Sequence, residues 1–144
     1  MVLKRLMQCS VHISDWAGNW QLPLSTAKCC WMRISNRSIN TLDTFTLDRV
    51  VLKEANELKD LGVIFISKLS FVNHITTTVG KAKQRLFLLN KSFLSKDPKT
   101  LIMAYKTYVI PILDYCSPVW SPHSATDISP IESVQGLFTK RLID

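Results

Sequence analysis

No stretch of this 144-residue sequence reaches the run of about 18 apolar residues that would cross a bilayer, so no membrane-spanning helix is expected. The N-terminal "MVLKRLMQCSVHISDW" has a basic start but only scattered apolar residues, without the continuous apolar core of a secretory signal. The cysteines, at 9, 29, 30 and 116, form no CxxC pair, and His12, His74 and His123 are equally dispersed. These absences give no metal-ligand spacing, and the protein is expected to be intracellular and reduced, nuclear or cytoplasmic, without a structural zinc. Ser121-Pro122-His123 reads as a polar turn and gives no support to Ser/His/Asp chemistry. There is no internal repeat and no low-complexity segment. No two acidic residues are adjacent anywhere in the chain.

Hydrophobic residues make up 47% of the chain and charged residues 20%, a globular balance sufficient for one domain or two small lobes sharing a core. The net charge is +7, and all of the excess lies between residues 61 and 113. There Lys68, Lys81, Lys83, Arg85, Lys91, Lys96, Lys99 and Lys106 face Asp97 alone, while ten bases balance ten acids elsewhere. A basic stripe of this kind suits a polyanion such as nucleic acid. It equally describes a solvated helix face.

Apolar spacing predicts an α+β fold. Leu3, Leu6, Met7, Ile13, Trp16 and Trp20 recur at helical intervals, ending near Gly18-Asn19; Trp16, Trp20 and Trp31 have rings that could stack bases, but their apolar periodicity favours packing in a core. Pro23 marks a turn. "KCCWMRIS" (28–35) reads as a strand ended by "NRSIN". "TFTL" and "VVLK" flank Asp48-Arg49, a two-residue turn without the customary glycine. "LKDLGVIFIS" reads as a continuous apolar strand, with Gly62 marking a bulge or a close approach of another backbone. A small antiparallel sheet of three or four strands is expected.

At Ser70, a candidate helix cap, the pattern changes. Val72, Ile75, Val79, Ala82, Leu86, Leu89 and Phe93 alternate by three and four, an a/d seam for one helix over about 71–94. Lys81, Lys83, Arg85 and Lys91 lie off that seam. Asp97-Pro98 opens a second helix with Leu101, Ile102, Tyr105, Val109, Ile112 and Cys116 on its face. Pro111 should break it. Tyr105 and Tyr108 are read as interior or bundle-edge residues. "CSPVWSPHS" reads as a loop. A third helix starts at 125 or 128, capped by Ser124 or Asp127, with Pro130 in its first turn. Ile128, Ile131, Val134, Phe138 and Leu142 face inward, which completes a three-helix bundle.

Three blocks in order, "WAGNWQLPLSTAKCCWM", "LKDLGVIFISKLSFVNHI" and "AYKTYVIPILDYCSPVWSPHSATDISPIESVQGLFTKRLI", resemble the reverse transcriptase of non-LTR retrotransposons, especially the jockey-like group. The resemblance runs from about Trp16 to Leu142. It implies a palm remnant with the primer-grip strand over 1–66 and a helical thumb over 67–144. By resemblance alone, Lys28 corresponds to the lysine that assists the departing pyrophosphate, and "DLGV" to the primer grip. Gly62, Lys68, Lys81, Lys83, Arg85 and Lys91 are the nucleic-acid-binding residues it implies. The partner that the resemblance implies is an RNA/DNA template–primer duplex in the full-length enzyme.

The family's aromatic-Ala-Asp-Asp hairpin, expected before Trp16, is missing. Two-metal phosphoryl transfer needs such carboxylates. Asp15, Asp43 and Asp48 show no ligand pattern in its place. No cofactor is therefore expected in this chain, Mg2+ belonging to the complete polymerase, and the residues are expected to be catalytically incomplete, as in a fragment or relic of an element. The other function class is a non-enzymatic helical interaction module with no nucleic-acid role.

Overall fold

The computed structural model describes residues 2–34, 44–93 and 97–143, with side chains from 9 to 142 within those ranges. The strand end at 36–40, Asp43, Lys96 and the side chains of Leu3, Leu6 and Met7 lie outside the described residues. The architecture is α+β. It divides into two compact units, one of 1–58 with 66–69, the other of 59–65 with 70–144. No helix among the described residues is long and apolar enough to cross a membrane.

In the first unit, α1 (Val2–Asn19) packs against β2 (Thr46–Leu47). The packed face is the one bearing Ser10, Ser14 and Ala17, of which Ala17 is buried. Small side chains allow the helix close approach, and Ser10 Oγ donates to the Thr46 carbonyl. The expected core tryptophans are on the other side: Trp16 is 57% and Trp20 66% exposed, their rings 6.4 Å apart. Apolar periodicity located a face but not the face that was covered. Trp31 is half-buried, against Phe45 at 4.6 Å and beneath the Arg33 guanidinium.

The expected single antiparallel sheet is, among the described residues, three separate two-stranded ladders. The 28–35 strand shortens to β1 (Cys30–Trp31), preceded by a 3₁₀ turn over Thr26–Lys28. It pairs in parallel with β4 (Lys53–Glu54), Cys30 opposite Lys53. The long connection between them permits this, since parallel strands need a crossover and cannot be joined by a tight turn. β2 pairs antiparallel with β3 (Val50–Val51) across Asp48-Arg49, as the sequence predicted. Asp48 (φ 50°) and Arg49 (φ 65°) both adopt the left-handed conformation, which matches the twist of a two-residue hairpin.

The apolar run at 58–66 is not one strand. β5 (Glu57–Asp60) and β6 (Val63–Ile66) form a hairpin about Leu61-Gly62. Gly62 is therefore a turn residue and not a bulge. Its φ of +90° suits glycine, whereas Leu61 at φ 44° is in a region that bulky residues rarely visit.

The second unit contains the helices. α2 (Val72–Ser92) follows the predicted seam: Ile75, Val79, Ala82, Leu86 and Leu89 are buried. Val72 is 47% exposed, and the preceding cap residue is Phe71 without a side-chain bond, not Ser70. α3 (Pro98–Tyr108) begins as predicted at Asp97. The Asp97 carboxylate accepts from both the Thr100 hydroxyl (2.7 Å) and backbone N–H (2.9 Å), and these bonds lower its pKa. Leu101, Ala104 and Tyr105 are buried, while Ile102 and Tyr108 are exposed.

Pro111 interrupts the chain as predicted. α3 stops at Tyr108, and after Val109 a short α4 (Ile110–Asp114) follows. The loop expected at 116–124 instead contains α5 (Ser117–Trp120), launched from Cys116 at φ 54°, with Trp120 buried. The Trp120 indole donates to the Tyr115 carbonyl at 2.8 Å. α6 (Ala125–Ile143) starts at the Ser124 cap, whose hydroxyl accepts from the Thr126 N–H. Pro130 is one turn further in than expected. α2 packs against α3, α4 and α6 around Val109, Val134 and Phe138.

Candidate nucleic-acid interface

Lys81 and Arg85 are four residues apart on α2, so they lie only about 40° apart around the helix. Both line one side of an open groove. One part, about 380 Å³, is bounded by Lys59, Gly62, His74, Thr78, Lys81, Pro111, Ile112 and Tyr115. It adjoins a second part of about 350 Å³ bounded by Lys81, Gln84, Arg85, Leu88 and Ile112. None of the described lining residues is acidic, and three are basic. The hairpin supplies one wall, α2 the second and α4 the third.

Two side chains fix the hairpin tip to the helices. The Tyr115 hydroxyl donates to the Leu61 carbonyl at 2.8 Å. A Cβ on Gly62 would meet Tyr115 Cε1 at 3.3 Å, so the close approach here is partly to that ring. On the other side, the Ile64 N–H donates to His74 Nδ1 at 3.3 Å. His74 is buried, its ring edge-on to Trp120 at 5.1 Å between centroids. Because Nδ1 accepts, the proton resides on Nε2, which faces the Thr78 hydroxyl at 3.4 Å. Burial first, and the Lys81 ammonium second, hold the His74 pKa below its ordinary 6.5.

The groove gathers Gly62, Lys81 and Arg85 from among the sequence-predicted residues. Lys83, two residues from Lys81, points about 160° away from it, and Lys91 about 80° away; both are exposed and neither lines the groove. Lys68 is exposed in the turn after β6 and Lys28 is exposed at the end of the 3₁₀ turn; both belong to the first unit. Sequence reasoning passed over Lys59, His74, Thr78 and Tyr115. The signal for His74 and Thr78 was their position one residue before Ile75 and Val79, which widens the buried face of α2 toward the hairpin. No group of three or more His, Cys, Asp or Glu that could hold a metal ion occurs among the described residues.

This chain is similar to a transposon RNA-directed DNA polymerase. Over 134 residues, 86% of this chain, it is 27% identical to the probable RNA-directed DNA polymerase from transposon X-element of Drosophila melanogaster. The match covers 14% of that protein, so the chain spans a small part of the length of this curated relative. No family model matches the chain, and no solved structure matches it. The similarity agrees with the polymerase resemblance of the sequence blocks.

Proposed function

We propose that these residues are the template–primer-contacting end of a non-LTR, jockey-like retrotransposon reverse transcriptase. Residues 1–66 would be the closing part of the palm with the primer grip, and 67–144 the thumb. The observation that carries this reading is the groove itself, in which Lys59 and Lys81 line the part beside the Leu61-Gly62 turn and Lys81 and Arg85 the adjoining part, with no carboxylate among the described lining residues. A duplex backbone laid in it would be held by phosphate neutralisation and counterion release, a sequence-independent attraction. Lys28 is assigned to pyrophosphate departure only through the family resemblance. Without an adjacent acid pair, the 144 residues by themselves are expected to extend no primer on RNA or DNA with magnesium or manganese. Template-dependent nucleotide incorporation by the pure protein would refute that.

The binding test is a salt titration on duplex DNA. Two or three phosphate contacts give a slope of log K against log salt on the order of −2 to −3. Lys81→Gln with Arg85→Gln should flatten the slope by about 1.8 and weaken all sequences alike. Lys83→Gln, away from the groove, should leave it unchanged. Coincident curves for the wild type and the double variant would remove the nucleic-acid role and leave a solvated helix face.

A further inference from the structure

We propose that His74 is a pH-dependent latch that holds the 59–65 hairpin tip against the helices of its unit and releases it on acidification. The geometry carries the proposal. β6 offers the Ile64 N–H to a ring nitrogen of His74, and that bond needs the nitrogen unprotonated. The other ring nitrogen faces Thr78 Oγ1 on the same helix, and the ring edge is packed on Trp120. A proton added to Nδ1 would set one donor against another, at a backbone N–H that then has no acceptor there.

The described residues that line the cavity offer the added charge no carboxylate. From β5 the charged group lining the cavity is Lys59, and from α2 itself it is Lys81. α4 contributes Pro111 and Ile112, the phenol beyond it is Tyr115, and α5 contributes Trp120. Two ammonium groups and no carboxylate line this cavity. Burial and Lys81 both act against the charged imidazole, in keeping with its lowered pKa.

The sign follows directly. A histidine whose folded pKa is below its unfolded value of 6.5 binds more protons when its segment is released. The latch is therefore fully closed above about that pH and weakens as pH falls below it. Tyr115 holds the Leu61 carbonyl independently of this proton, so opening begins on the Ile64 side. The inference does not rest on nucleic-acid binding, but it bears on the groove, because the hairpin carries Lys59 and Gly62 into its wall.

The test is amide hydrogen exchange, corrected for intrinsic pH dependence, with nitrogen NMR of the ring in the full chain. At pH 7.5 the ring should be neutral with its proton on Nε2, and the Ile64 amide should be protected. Between pH 7.5 and 5.5 Ile64 protection should drop several-fold, up to the roughly tenfold limit that one proton with a released pKa of 6.5 sets, while Leu86 and Phe138 amides keep theirs. His74→Asn, whose Oδ1 takes the acceptor position and does not titrate, should hold Ile64 protection constant over that range. The proposal is overturned if wild-type Ile64 protection is absent at pH 7.5 or unchanged at 5.5. It is also overturned if all core amides lose protection together, or if His74→Asn keeps the wild-type pH dependence. Should His74→Asn not fold, the wild-type ring nitrogens decide alone: a ring with its proton on Nδ1 at pH 7.5 rules the latch out.

Discussion

Leu86→Ala should lower the free energy of unfolding by about 2–5 kcal/mol, whereas Phe87→Ala should change it by less than about 0.5 kcal/mol. The two residues are neighbours on α2, and the larger side chain is the one whose loss is tolerated. Leu86 is 3% exposed and lies in the core cluster with Val109, Val134 and Phe138, while Phe87 is 66% exposed. Removing Leu86 takes apolar atoms out of a packed interior and leaves a space that neighbouring helices fill only partly. Urea titrations followed by helical circular dichroism measure both changes. A loss below 0.5 kcal/mol at Leu86 would mean that α2 is not packed on its partners.

Phe138→Ala should be at least as costly, about 3–5 kcal/mol. Phe138 on α6 lies face to face with Tyr105 on α3, ring centroids 4.1 Å apart and planes 6° from parallel, and both are buried. The pair ties α6 to α3. Because the two rings touch, Tyr105→Ala combined with Phe138→Ala should cost less than the separate losses added together, by more than about 0.5 kcal/mol. Strict additivity in denaturant melts of the two single variants and the double variant would show that the stacked contact contributes nothing beyond burial.

Several elements were legible because their local chemistry leaves one reading. The three-four alternation from Ile75 to Leu89 can bury a stripe only as a helix, and α2 follows it. Asp97-Pro98 supplies a cap acceptor and a fixed φ at the next residue, and α3 starts there. Pro111 cannot continue the backbone ladder, and α3 gives way before it. Other features were illegible for equally physical reasons. The turn at Leu61-Gly62 begins with a residue that seldom takes positive φ, so the flanking apolar residues read as one strand. Trp120 lies between two prolines, which hid a four-residue helix. The spacing of Trp16 and Trp20 gave them a common face but no information about which face of α1 would be covered.

The sequence by itself determined the α+β class, the confinement of excess charge to 61–113, the long helices and the polymerase likeness, because period, capping chemistry and composition are local properties. The tertiary structure alone decided which of the basic residues lie together. Lys81 and Arg85 share a groove with Lys59 from a distant strand, and Lys83 does not. It alone also placed His74 where burial and an acceptor bond to Ile64 favour the uncharged ring. Both depend on contacts between segments separated along the chain, and periodicity within one segment cannot report how its other side is met.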